Sequence, residues 1–193
     1  MLKSTQVLIL SGLLACSAGA KQRTNVLVFV PQSLFLDEDY EAVTSQLNRA
    51  GLRVVTASTD TTAAESMDGL LIKPEQSLAT VDPADYAGLV LVGGSGAVLY
   101  WEDSLLHSRC RGFTDAGRLI AAIGLMPIAL ARAGLLTGRR ATVFPDRRAI
   151  EMLKKAGAKV SLNDIVIDGN IMTASRTRAA RALARHIARR LPR

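Results

Sequence analysis

Three sets of residues carry side chains that could do chemistry, and a fourth position matters for what it lacks. Asp37-Glu38-Asp39 places carboxylates at the start of a helical pattern, where an acid can exchange protons with a substrate or simply complement the helix N-terminus. Ser95 follows Gly93-Gly94 and is a candidate hydroxyl nucleophile. His107 and Cys110 are three residues apart, which on a helix puts both on one face. Two ligands do not make a zinc site, so this pair reads as a buried or half-buried structural thiol beside a surface histidine, and no metal or cofactor is expected. The fourth position is Gly124, between the apolar run Leu119 to Ile123 and the helical pattern that starts at Met126. A strand turning directly into a helix strains the turn residue and aims its side chain at the open end of the sheet. Glycine has no side chain to attack with.

The elements around these residues follow from their patterning. Val26 to Val30, Leu89 to Val92 and Leu119 to Ile123 are short and uniformly apolar, as expected of strands buried on both faces of a parallel sheet. Val43 and Leu47 face inward on a first helix that stops at Gly51, and Val54 to Ala57 is the next strand, so the chain opens as a βαβ unit. Gly69 to Ile72 and Lys73 to Leu78 read as a hairpin or edge pair, since Pro74 argues against a central strand. A helix running through Phe113 leads back to the Leu119 strand, and Trp101 near its start is expected to pack rather than to cover a site. After the second glycine stop at Gly134 come a strand at Ala141 to Phe144, a helix from Asp146 to Ala156 and a strand at Lys159-Val160. Asp168-Gly169 sits between two apolar runs, a hairpin signal. A last helix from Thr177 to Arg190 sets Arg178, Arg181, Arg185 and Arg189 opposite Leu183 and Ile187.

Ala122-Ile-Gly-Leu-Met-Pro127, Val81-Asp-Pro-Ala-Asp-Tyr-Ala-Gly-Leu-Val-Leu-Val-Gly-Gly94 and Val166-Ile-Asp-Gly-Asn-Ile-Met-Thr173 together resemble the ThiJ/PfpI family of the class I glutamine-amidotransferase-like superfamily. The resemblance spans residues 25 to 190 and implies a flavodoxin-like three-layer α/β sandwich with a mostly parallel sheet. It puts the family's nucleophilic cysteine at Gly124, with Leu125 and Met126 replacing the next two residues of the motif. It also implies backbone N–H donors from Gly93, Gly94 and Leu125 toward a developing oxyanion. The carboxylate that meets the thiol would be Asp39, with Asp37 and Glu38 as alternative registers. The remnant pocket implied is thus Asp39, Gly93, Gly94, Gly124 and Leu125. Catalytic chemistry of the family type is not expected, because the thiolate is missing and His107 and His186, the two histidines, lie near no motif.

Composition bounds the rest. The chain has 193 residues, 49% of them hydrophobic, enough for one substantial core. Its net charge of +7 is concentrated after Arg176, and only 4% of residues are aromatic, which argues against nucleic acid as a partner. Lys3, the apolar run Val7 to Ala15 and Ala18-Gly19-Ala20 read as an export signal over residues 1 to 20. Leu13-Leu14-Ala15-Cys16 resembles a lipobox, so Cys16 is a candidate lipidation site and cleavage after Ala20 the alternative. The expectation is a non-catalytic binding or stress-related protein, exported and either periplasmic or membrane-tethered, with a small molecule as a candidate ligand and a homodimer implied by the resemblance. The alternatives are an enzyme doing general acid/base chemistry on small carbonyl or amide compounds, as a deglycase or glyoxalase would, and a holdase-like chaperone.

Overall fold

A computed structural model describes residues 24–191; the expected export signal and Cys16 lie outside them. In chain order the elements are β1 (Asn25–Phe29), β2 (Ser33–Phe35), α1 (Asp37–Arg49), β3 (Arg53–Ser58), β4 (Ala64–Ser66), β5 (Leu71–Ile72), β6 (Gln76–Ser77) and β7 (Gly88–Leu91). There follow α2 (Ser104–Asp115), β8 (Leu119–Ile123), α3 (Pro127–Arg132), β9 (Arg140–Ala141), α4 (Arg147–Lys155), β10 (Lys159–Val160), β11 (Ile165–Asp168), β12 (Ile171–Ala174) and α5 (Thr177–Arg190).

The central sheet runs β11-β12-β8-β7-β1-β3-β6, and every pairing in it is parallel except the β11–β12 hairpin. Its strands are apolar on both faces because helices cover both. Val26, Val28, Val90, Ala121 and Ile123 meet Val43 and Leu47 of α1 and Leu183 and Ile187 of α5. Leu27, Phe29, Leu89, Leu91 and Ile120 face the other way, toward Leu106 and Phe113 of α2 and Ile128 and Leu130 of α3. Strand alternation thus feeds two separate cores from one sheet. This is the expected three-layer α/β sandwich.

Two expectations are corrected. Residues 69–78 do not form a hairpin: β5 pairs antiparallel with β4 in a small sheet beside β2, whereas β6 adds a parallel edge to β3. Pro74, which offers no N–H, lies where the chain leaves one sheet for the other. The strand expected over Ala141 to Phe144 stops at Ala141, because the next donors are used elsewhere. The Thr142 N–H donates to Thr173 Oγ1 at 2.9 Å and the Phe144 N–H to the Gly124 carbonyl at 2.8 Å.

The chain enters at β1, builds outward to β3 and returns on the other side with β7, so the order reverses between β1 and β7. In open α/β sheets ligands bind beyond the carboxyl ends of strands at such a reversal. The connections after β7, β8 and β12 and the start of α1 meet there, around one cavity.

Candidate functional site

The elbow is built by β8 running straight into α3. Its register is fixed by the Gly124 N–H donating to the Ala174 carbonyl at 2.9 Å and the Met126 N–H to Ile123 at 3.1 Å. Gly124 has φ +64, in the left-handed region. A β-carbon built on it would meet only Gly93 Cα, at 3.7 Å, so the corner above the turn is open. On Gly93 the situation is reversed, since a β-carbon would press against the Ile123 carbonyl oxygen at 2.8 Å. Gly94, with φ +122, backs onto Leu34, and a side chain there would run into the Leu34 carbonyl. Leu34 itself has φ +59, the one non-glycine positive φ among the described residues. Backbone strain is therefore gathered at the carboxyl edge of the sheet, where β2, β7 and β8 end.

Above the elbow lies a cavity of about 520 Å³. Leu36 and Asp39 line it from the cap and first turn of α1, Met67 from the turn after β4, Gly94 and Ser95 from the turn after β7, and Gly124 and Leu125 from the elbow. Phe144 and residues 175–178 close the remaining side. Of the remnant pocket positions, Asp39, Gly94, Gly124 and Leu125 are thus brought together, while Gly93 packs against the backbone of Ile123 and Gly124 and is not on the cavity wall. Asp37 and Glu38, the alternative registers for the carboxylate, are not on the wall, and Glu38 is exposed.

Asp39 is 1% exposed, and its Oδ1 has no hydrogen-bond partner. Burial lifts its carboxyl from an ordinary 3.8 to about 6; the Thr177 hydroxyl partly offsets this, and the neighbouring Glu38 charge adds to it. The other candidates have no such placement. Cys110 is fully buried on α2, its thiol pushed up to about 12 by desolvation, which leaves almost no thiolate at neutral pH. His107 is buried rather than on the surface as expected, because its Nε2 bonds the Trp101 carbonyl at 2.9 Å, and the Trp101 indole N–H donates to the Leu125 carbonyl at 3.2 Å. That chain props the elbow from outside the cavity. Ser95 is on the wall, but neither histidine is.

Met67, Phe144, Ser175, Arg176 and Thr177 are wall residues that sequence reasoning missed. The available signal was the start of the last helix, which follows a buried strand and carries Arg176 where a capping serine, threonine or aspartate is usual.

A mostly parallel sheet covered by helices on both faces, with a glycine elbow and a buried carboxylate on the wall of one cavity, defines an α/β sandwich whose candidate site lies at the carboxyl edge of its sheet. The DJ-1/PfpI family model matches residues 24–190, and the chain belongs to that family. It is 37% identical over 154 residues to an uncharacterized protein of Methanocaldococcus jannaschii, covering 79% of this chain and 75% of that one. Over 147 residues it is 26% identical to protein/nucleic acid deglycase 2 of Escherichia coli, covering 74% of this chain and 83% of the relative. Among solved structures, Drosophila melanogaster DJ-1beta superposes with a TM-score of 0.78 at 28% identity, covering 88% of this chain and 90% of the other.

Proposed function

We propose that this chain is a DJ-1/PfpI domain that holds a small molecule at the carboxyl edge of its sheet without bonding to it covalently. The observation that carries the reading is Gly124, which occupies the strained turn at φ +64 with open space where a side chain would stand, while the cavity above it is intact. Covalent catalysis needs an activated nucleophile beside a base. Among the described residues the cavity wall offers the hydroxyls of Ser95, Ser175 and Thr177 and the carboxyl of Asp39, with no thiol and no histidine. The experiment is turnover: purified protein offered methylglyoxal, glycated amino acids and peptides is expected to give no rate above buffer. Turnover abolished by Asp39→Ala would instead favour general acid/base catalysis. That second reading draws on the raised Asp39 carboxyl, at about 6, since a catalytic acid or base works best near the operating pH.

The proposal includes export, supported by Lys3, the apolar run Val7 to Ala15 and Ala18-Gly19-Ala20, with lipid on Cys16 or cleavage after Ala20. It also includes a homo-oligomer, with the exposed arginines of α5 available to anionic headgroups. Mass spectrometry and light scattering of protein recovered from a bacterial envelope check both: an unprocessed chain starting at Met1, or a monomer, overturns the corresponding part.

A further inference from the structure

The polar groups around the cavity are unequally satisfied. α5 is fourteen residues long and opens onto it through Ser175, Arg176 and Thr177. Its N-cap, Arg176, supplies no side-chain acceptor, and its first turn holds no acid. α2 and α4, by contrast, are capped by Asp103 and Asp146. Uncapped N–H groups at a helix start carry partial positive charge and favour an anion. Arg176 strengthens that field. Its guanidinium lies 5.8 Å over the Phe144 ring and belongs to none of the ion pairs among the described residues, whereas Arg178 is held by Asp164 at 2.9 Å.

Across the cavity stands Asp39, almost fully buried, with Oδ1 unpartnered. Oδ1 is sealed from solvent, so a ligand meets the edge of the carboxyl that lies on the cavity wall, and a carboxyl this poorly solvated favours its neutral form, which can donate a hydrogen bond. We propose that the pocket takes a small organic monocarboxylate, held between the N-terminus of α5 with Arg176 on one side and a protonated Asp39 carboxyl on the other, with its apolar end against Leu36, Met67 and Leu125. This rests on the non-covalent binding reading above and names its ligand class. Two facing carboxyls in a poorly solvated site do not both ionise, so they share one proton. A phosphate dianion fits less well, because among the described residues Arg176 is the only cation on the wall outside the ion pairs, and the remaining surface is largely apolar.

Binding is therefore linked to a proton on Asp39. The charged groups around it are Asp37 and Glu38 of α1 and Arg176 and Arg178 at α5, the last neutralised by Asp164; the elbow, the Gly94-Ser95 turn, Met67 and Phe144 bring no ionisable group. In the empty pocket Asp39 takes up its proton near pH 6. Affinity for the anion should be flat below that value and fall about tenfold per pH unit above it.

Calorimetric titration of the full chain with benzoate, with neutral benzamide of the same shape and with inorganic phosphate tests this. Benzoate is expected to bind, weakening about tenfold per unit from roughly pH 6.5 to 8. Benzamide at pH 6 is expected to bind at least about tenfold more weakly, the loss of one charge-assisted contact. Phosphate is expected not to bind. Arg176→Gln, on the surface, should weaken benzoate at every pH. Asp39→Asn, nearly isosteric and permanently neutral, should keep benzoate binding and flatten the pH slope, with circular dichroism confirming that both variants are folded. Benzamide binding as well as benzoate, phosphate binding as well as benzoate, or a slope that survives Asp39→Asn overturns the monocarboxylate assignment and leaves the binding reading intact. Absence of binding by all three probes overturns the assignment too, and turnover of a carbonyl substrate overturns the reading beneath it.

Discussion

Gly124→Cys, made in a Cys16→Ser background, is expected to give a protein with one fast-reacting thiol where the parent has none. In the parent, Cys110 is fully buried and its thiol is pushed up to about 12, so at pH 8 only about one molecule in ten thousand carries the thiolate. A thiol on the elbow would point into the open cavity with nothing nearer than Gly93 Cα, at 3.7 Å from its β-carbon. Thiolate fraction alone makes it about a thousandfold more reactive toward a disulfide reagent, before access is counted. The substitution also carries a cost. A β-carbon at φ +64 strains the backbone by about 1–2 kcal/mol, which in a domain of this size lowers Tm by about 3–6 °C. Mass-resolved labelling of native protein reads the outcome directly. A cysteine at 124 that labels no faster than Cys110 would mean that the turn does not face the cavity, and the account of the site would fail with it.

How much of this was visible in the sequence depends on how local each feature's cause is. β8 spans Leu119–Ile123 and α5 spans Thr177–Arg190, both as expected, because each is fixed by its own pattern: an unbroken apolar run in one, arginines opposite leucine and isoleucine in the other. The helix expected from Asp146 to Ala156 is α4 with its two caps, Asp146 accepting from the Ala149 N–H at 2.9 Å. What failed was decided across the chain. The strand after Ala141 is cut short by a hydroxyl thirty-one residues away, on Thr173. Gly69 to Leu78 divides between two sheets whose partners, β4 and β3, precede it. The site shows the same division. Gly94, Gly124 and Leu125 sit in short motifs and could be named in advance, whereas Met67, Phe144 and Arg176 reach the cavity from three separate connections with no periodicity to announce them.

Replacing Asp39 with asparagine is the complementary change, and it is expected to stabilise the fold. The carboxyl titrates at about 6 in the folded chain against 3.8 ordinarily, so folding disfavours its charged form. Below about pH 4 the group is protonated in both states and folding meets no penalty. As pH rises through the window from about 4 to 6, the unfolded chain ionises while the folded chain does not, and stability falls by about 1.4 kcal/mol per unit. Above about pH 6 the loss is complete, on the order of 3 kcal/mol. Asparagine keeps the shape and a partner for Thr177 but has no charge to desolvate. It should recover about 2 kcal/mol at pH 7.5, some 5 °C in Tm, and almost nothing at pH 4. Thermal unfolding of both proteins across that range isolates the term, because every other carboxylate is common to the two and cancels in the difference. A variant that is less stable than the parent at pH 7.5 would show that Asp39 is held ionised by a favourable partner, and the cavity would then have no unsatisfied acid to offer a ligand.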